Sequence, residues 1–301
     1  MPGAGRILEA SRDLISDPRA GRVFMAVKRE GLPMSDFELV WDSRCSVAES
    51  PVWDAANRRL LFCDINGKRI NALSVDSGAQ TWWDFPEVVG SFGLCRSGRF
   101  VVAQRHRVVL FDPASGGLTD LTCKIDEPPT NRLNDGKVGP DGAFWVGSMD
   151  ENSPRQKIAA LYRVTADGRT MYHSDSTGGI IQAWDFEPAT GGRSRHRIIA
   201  TLKNEDGRPD GAATDADGNY WSAGPSAGCI NCFSPGGELL RKWTFPVPGP
   251  TMPCFADGSL YVTSLREGKS AEVLAEFPAL GGLFRSAAAA VGAPVGLFAD
   301  D

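Results

Sequence analysis

The stretch SPVWDAANRRLLFCDINGKRINAL, residues 50–73, contains the pattern that decides the fold. Apolar and polar residues alternate over short runs, which is the period of a strand with one buried face. Turns of the D-x-x-G or D-G type separate the runs, and Gly in such turns supplies the positive φ that tight hairpins require. The segment therefore predicts consecutive antiparallel strands.

This unit recurs along the whole chain. The starts of the copies lie about 40 residues apart, the spacing of four-stranded propeller blades. Residues 37–45 precede the first copy and could add the outer strand to the last blade, which would close the ring and remove its exposed edges. The alternative is a two-domain β-sandwich, but sandwiches do not repeat in this way. The later copies begin at Phe92, Asp135, Asp210 and Cys254.

The repeat has a defect after its third copy. Residues 159–168 run straight into RTMYHSDSTGGIIQAWDFEPATG, residues 169–191, which have the pattern of the second and third strands of a blade without its first strand. We therefore predict an all-β, six-bladed β-propeller with a truncated fourth blade, formed as a single domain by residues 34–301. Residues 1–33 are predicted to be a disordered extension or to contain a short helix over 7–15.

The composition excludes several functional classes. The chain of 301 residues has a net charge of −5 and no basic stripe, so nucleic-acid binding is not expected. No apolar run approaches a membrane span, and the N-terminal region has no signal-peptide pattern. The seven cysteines are scattered and odd in number, which favours reduced thiols and a cytoplasmic location. The oligomeric state is left open.

Polar residues stand where three first strands begin. Glu49 lies in AESPVW, Asn134 in NRLNDGKV (131–138) and Asp210 in GRPDGAATDADG. In a propeller the first strands start beside the axis, so we expect these side chains to meet there. Carboxylate and amide oxygens suit one divalent metal ion, namely Ca²⁺, Mg²⁺ or Mn²⁺ and, less specifically, Zn²⁺ or Fe²⁺.

Four motifs together resemble one family. SPVWD, NRLNDGKVGPDGAFWVGSMD, RPDGAATDADGNYW and LYVTS occur in this order at near-blade spacing. They are similar to motifs of the gluconolactonase/regucalcin family, which includes senescence marker protein and luciferin-regenerating enzyme. The resemblance covers about residues 36–285. It implies a six-bladed propeller with one axial divalent metal, no organic cofactor, and a small-molecule sugar lactone as substrate, which is hydrolysed to an aldonic acid.

The resemblance also implies residue roles. Glu49 and Asp210 resemble metal ligands of the family, and Asp210 also resembles its proposed general base. Arg132 and Asn134 resemble the substrate-binding pair of the R-x-N-D motif, and Asn134 could also contribute to the metal. Glu151 follows SMD where some members have a substrate-contacting acid.

One family ligand has no counterpart here. The family has an asparagine in a T/S-N-G loop at the first strand of the fourth blade, whereas in this chain Gly168 is followed directly by Arg169. Asn134 or water would have to fill the vacancy. Two alternatives to a lactonase follow: a metal- or ligand-binding propeller that has lost activity with this loop, or a chain that folds poorly.

Each candidate residue also has a purely structural interpretation. A carboxylate before a proline, a P-D-G turn, an Asx-turn at a strand start and a solvated arginine are all common in proteins without a catalytic role. These interpretations apply in turn to Glu49, Asp210, Asn134 and Arg132.

Overall fold

The computed structural model describes residues 8–9, 37–121, 128–139, 142–153, 161–164, 170–187, 192–288 and 290–300. These residues are almost entirely β-structure with one short helix, and none of their helices is long and apolar enough to cross a bilayer. In chain order the elements are β1 (Leu8–Glu9), β2 (Glu38–Trp41), β3 (Ala48–Asp54), β4 (Arg59–Asp64), β5 (Arg69–Ser74), β6 (Gln80–Asp84), β7 (Ser91–Leu94), β8 (Phe100–Ala103), β9 (Val108–Phe111), β10 (Leu118–Asp120), β11 (Asn131–Val138), β12 (Phe144–Asp150), β13 (Leu161–Val164), β14 (Thr170–Asp175), β15 (Ile180–Glu187), β16 (Gly192–Thr201), β17 (Ala212–Thr214), β18 (Tyr220–Gly224), β19 (Cys229–Phe233), β20 (Leu239–Thr244), β21 (Pro250–Ala256), β22 (Ser259–Ser264), α1 (Ala271–Glu276) and β23 (Leu283–Ala287).

The strands form five four-stranded sheets, arranged as propeller blades, and one three-stranded sheet. All pairings within the sheets are antiparallel. The sheets are numbered here along the chain: sheet 1 (β3 to β6), sheet 2 (β7 to β10), sheet 3 (β11 to β13 with β1), sheet 4 (β14 to β16), sheet 5 (β17 to β20) and sheet 6 (β21 to β23 with β2).

The inner strands are buried on both faces, whereas their alternating pattern predicted one buried face. In β4, Leu61 packs in a hydrophobic cluster with sheet 2, and the adjacent Phe62 packs in another with sheet 6. A sheet between two neighbouring sheets has no solvent face, so the alternation decides which neighbour each side chain meets. The outer strand β6 is mostly exposed.

Five hydrophobic clusters lie between neighbouring sheets. They join sheet 1 to 2, sheet 2 to 3, sheet 4 to 5, sheet 5 to 6, and sheet 6 back to 1. None of these five, within the described part of the chain, joins sheet 3 to sheet 4.

The outer strands of sheets 3 and 6 come from the N-terminal part of the chain. Strand β2 pairs with β23, with Glu38 opposite Arg285, which confirms that residues 37–45 complete the last sheet. Strand β1 pairs with β13. The predicted short helix over 7–15 is therefore wrong at Leu8–Glu9, where the chain forms a strand. This strand supplies hydrogen-bonding partners to the edge of β13. The rest of residues 1–33 lies outside the described residues.

The described C-terminal residues, 288 and 290–300, form a strap that connects distant sheets. They bond to the turns that follow the first strands of sheets 6, 5, 3 and 2. Phe298 is buried in the cluster between sheets 2 and 3. The strap's contacts include Ala216 N to Val291 O at 2.7 Å, Phe298 N to Leu94 O at 2.8 Å, and Arg99 Nη2 to Asp300 Oδ2 at 2.7 Å.

Candidate active site

Two of the predicted site residues lie at irregularities of inner strands. The register of β3 shifts between Glu49 and Val52, and that of β11 shifts between Leu133 and Gly136. A bulge leaves a residue unpaired and turns its side chain away from the regular alternation. The two irregularities therefore lie at polar residues of otherwise buried strands.

The buried Glu49 lies close enough to Asp135 and Asp210, which belong to other sheets, for their charges to affect it. Glu49 is only 4% exposed. Burial raises the pKa of Glu49 well above its usual range, and the nearby carboxylates of Asp135 and Asp210 raise it further. The backbone N–H of Ser50 donates to Glu49 Oε2 at 2.9 Å, which opposes part of that change. A cation between these groups would relieve the repulsion.

Ser50, next to Glu49, has an unusual backbone and a buried hydroxyl. Its φ is +50°, in the left-handed region that non-glycine residues seldom adopt. Its Oγ is buried without a hydrogen-bond partner among the described residues. Strained backbone and unpaired buried polar atoms are common at ligand sites, where a bound group completes the hydrogen bonding.

Asp135 and Lys137 were not among the predicted site residues. Burial raises the pKa of Asp135, while Arg132 and Lys137 oppose this change. Lys137 is exposed to solvent, yet the surrounding protein lowers its pKa, with Glu49 and Asp135 among the groups that oppose this. The sequence did contain a signal for both residues, because the two charges of D-x-K stand inside a strand that was expected to be buried.

Arg132, Asn134 and Glu151 form one hydrogen-bonded group. Arg132 Nη1 donates to Asn134 Oδ1 at 2.6 Å, and its Nε donates to Glu151 Oε1 at 3.2 Å. Arg132 is buried, and this burial lowers its pKa against the opposing effect of Glu151. The structure therefore brings together the three residues that the resemblance assigned to substrate. In this arrangement the Asn134 side-chain oxygen accepts a hydrogen bond from the Arg132 guanidinium group.

Asp210 precedes the first strand of sheet 5 and is half-buried. Its backbone N–H donates to Ala223 O at 2.9 Å, which fixes the P-D-G segment beside β18. Of the predicted ligands, Glu49 and Asp210 are therefore close enough to influence each other, although they come from sheets 1 and 5.

The described residues contain no group of three or more His, Cys, Asp or Glu side chains arranged to hold a metal ion. A metal centre here would depend on two carboxylates and on neutral oxygens. The junction of Gly168 and Arg169, where the family's asparagine ligand is missing, lies outside the described residues.

Comparison with known proteins identifies the family. The model of the SMP-30/Gluconolactonase/LRE-like region matches residues 47–168 and 164–266. The chain belongs to this family. The relationship predicted from the four motifs is thereby confirmed.

The family's curated members include several lactonases. The present chain is 33% identical to a 6-deoxy-6-sulfogluconolactonase from Pseudomonas putida, over 84% of its own length and 95% of the relative. It is 30% identical to an L-arabinolactonase from Azospirillum brasilense, over 84% and 92% of the two chains. It is also 29% identical to regucalcin from Danio rerio, over 82% and 92%.

Solved structures of the family share this fold. A calcium-binding regucalcin from Agrobacterium tumefaciens superposes with a TM-score of 0.80 at 22% identity, covering 88% of this chain and 98% of that one. A luciferin-regenerating enzyme gives a TM-score of 0.75 at 23% identity, covering 88% and 99%.

Proposed function

We propose that this family member hydrolyses a sugar lactone to its aldonic acid with the help of one divalent metal ion. The observation that carries the proposal is that Asp135 and Asp210 influence the buried Glu49, while Arg132, which is bonded to Asn134, influences Asp135 in turn. The names of relatives that act on gluconolactone-type and arabinolactone substrates support the reaction type.

The donors fit a hard divalent cation. Glu49 and Asp210 would hold it as anionic oxygen ligands, and Asn134 would add a neutral oxygen with its remaining lone pair. The unpaired Ser50 hydroxyl offers a further polar contact for a water molecule or a substrate. When bound, such an ion polarises the lactone carbonyl. Calcium, magnesium, manganese, zinc and iron remain the candidates.

The protein's own residues would divide the remaining work. Asp210 removes a proton from the water whose oxygen attacks the carbonyl carbon. Arg132 and Asn134 orient the carbonyl or the ring hydroxyls, and Glu151 holds the guanidinium in place. The bond between the carbonyl carbon and the ring oxygen then breaks, the ring oxygen takes up a proton, and the aldonate leaves.

The test is titration of metal-stripped protein with each divalent ion, with lactone hydrolysis measured in parallel. We expect hydrolysis of gluconolactone, xylonolactone or arabinolactone above the spontaneous rate, and a loss of about 100-fold or more in Glu49→Gln and Asp210→Asn. Glu238→Gln, an exposed acid in the turn between β19 and β20, should behave as the wild type. Spontaneous rates for all three lactones with every ion would exclude the proposal for these substrates.

A second candidate is a metal- or ligand-binding propeller without turnover. The asparagine loop that is missing from the sequence between Gly168 and Arg169 favours it. Measurable affinity for a divalent ion without hydrolysis of any tested lactone would support this second function over the first.

We also propose that sheet 4 is the truncated fourth blade of a six-bladed ring, within a single domain of residues 34–301. Its three consecutive strands support this, since a missing first strand leaves the second, third and fourth. The six cysteines of the described part that carry buried free thiols support a reducing, cytoplasmic location.

A further inference from the structure

An arginine outside the predicted substrate group reaches the same carboxylate as Arg132. Arg105, in the loop between β8 and β9, donates from Nη1 to Glu151 Oε2 at 2.6 Å. Arg132 donates to the other oxygen, Oε1. Two guanidinium groups thus share one carboxylate, and Arg132 also interacts with the carboxylate of Asp135.

The Arg105 loop is fixed to sheet 3 by its backbone and by a histidine. The N–H of Leu133 donates to Arg105 O at 2.9 Å, and His106 Nε2 donates to Asn131 O at 2.8 Å. Both bonds reach β11, the strand that carries Arg132 and Asn134. The position of Arg105 relative to the candidate active site is therefore set by sheet structure rather than by a loose loop.

The two arginines differ in their access to a ligand. The Arg132 side chain is 9% exposed, whereas those of Arg105 and Glu151 are 37% and 36% exposed. Arg132 lies on an inner strand, while Arg105 and Glu151 each follow the second strand of their sheet, one strand further from the axis. The contacts run from Asn134 through Arg132 and Glu151 to Arg105, so a lactone whose carbonyl lies beside Asn134 would have Arg105 near its far end.

We infer that Arg105 is a specificity residue that selects lactones carrying an anionic group at the end remote from the carbonyl. The inference rests on the proposed lactonase function. A guanidinium held by one carboxylate keeps further N–H donors for an incoming oxyanion, and its planar fork suits carboxylate, sulfonate and phosphate groups alike.

The experiment compares matched substrates. Gluconolactone and the lactone of glucaric acid differ by a hydroxymethyl group against a carboxylate, and the phosphate ester of gluconolactone distinguishes phosphate from carboxylate as the preferred anion. For the metal-loaded wild type we expect kcat/KM to be higher for an anionic lactone than for gluconolactone. Arg105→Gln should reduce that ratio about tenfold, because one charge-assisted hydrogen bond is lost. Arg105→Lys should retain part of it.

Arg107→Gln is the matched control. It lies in the same loop, but its guanidinium binds Glu87 and Asp120, so the ratio should not change. The wild-type preference should also weaken at high salt, because Arg105 is exposed. An unchanged ratio in Arg105→Gln, or a wild type that prefers the neutral lactone, would overturn the inference.

Binding of the products separates this inference from the proposed function. Calorimetry with glucarate and gluconate measures the same preference without catalysis. If no lactone is hydrolysed, the proposed function fails, and the inference stands only if wild type binds glucarate more tightly and Arg105→Gln loses that difference. Equal affinity for the two acids in wild type would refute it.

Discussion

The junction of sheets 1 and 2 and the region of sheets 3 and 4 are held together in different ways. At the first junction Phe100 packs edge-on against Trp83, with ring centroids 5.6 Å apart, within a large buried cluster. In the second region, sheet 3 takes its outer strand from Leu8–Glu9, and sheet 4 has three strands. The first junction is therefore held by packing between consecutive sheets, whereas sheet 3, like sheet 6, is completed by a strand distant in sequence.

The strap supports the same contrast. It leaves sheet 6, bonds to sheet 5, and ends with Phe298 buried between sheets 2 and 3. It thereby links sheets on either side of the region where, among the described residues, no cluster joins sheets 3 and 4. Its hydrogen bonds and the buried Phe298 side chain thus connect sheets that are not consecutive along the chain.

The largest expected effect is on the well-packed junction. Leu61 and Ile181 are both fully buried aliphatic residues, in the clusters of sheets 1 with 2 and of sheets 4 with 5. We expect Leu61→Ala to lower the unfolding free energy by about 4 kcal/mol and Ile181→Ala by about 2 kcal/mol. Denaturant unfolding measures both, and hydrogen exchange should show that sheet 4 opens locally. Equal losses of unfolding free energy in the two variants would show that the two clusters are equally well packed.

The next effect concerns the strap. Phe298→Ala should cost about 3 kcal/mol, because the cavity lies between two sheets rather than at a free end. Val291→Ala is the control, since that side chain is 76% exposed and should change stability little. Thermal and denaturant unfolding measure both variants. A negligible cost for Phe298→Ala would mean that the strap only lies on the surface.

A change in metal affinity tests the irregular region. Insertion of Thr-Asn-Gly between Gly168 and Arg169 should raise divalent-ion affinity about tenfold, since an added amide oxygen completes the ligand set. Insertion of Thr-Ala-Gly provides the same length without the ligand. Calorimetric titration compares the two. Identical affinities would show that the missing asparagine does not limit metal binding.

The last effect, which is small for each pH unit, is the pH dependence of the metal-free protein. Burial and two neighbouring carboxylates raise the pKa of Glu49 above its ordinary 4.5, so the folded state binds a proton that the unfolded state has lost. Stability from this group is therefore present below about pH 4.5 and is lost as pH rises towards the folded pKa, at about 1.4 kcal/mol for each pH unit. Glu49→Gln should flatten this decline in denaturant unfolding across pH 4.5–8, and Glu238→Gln should not. Equal slopes would argue against crowding of the three carboxylates.

Parts of the site could be predicted from local sequence alone. Arg132 and Asn134 are two residues apart in one strand, and the R-x-N-D motif already predicted that they act together. Glu151 was also predicted. Its link to Arg105 was not, because that contact joins loops of two sheets 46 residues apart in sequence. Asp135 was missed because the bulge that redirects it depends on the pairing of β11 with β12.

The sequence by itself determined the all-β repeat, the family and the outer strand supplied by residues 37–45. Alternating hydrophobicity and turn residues act over a few positions and repeat, so a single chain reveals them. Only the tertiary structure decided that Asp135 and Asp210 lie close enough to influence Glu49, that Leu8–Glu9 completes sheet 3, and that the strap joins distant sheets. These contacts depend on how strands far apart in the chain pack and twist, and no local pattern encodes that arrangement.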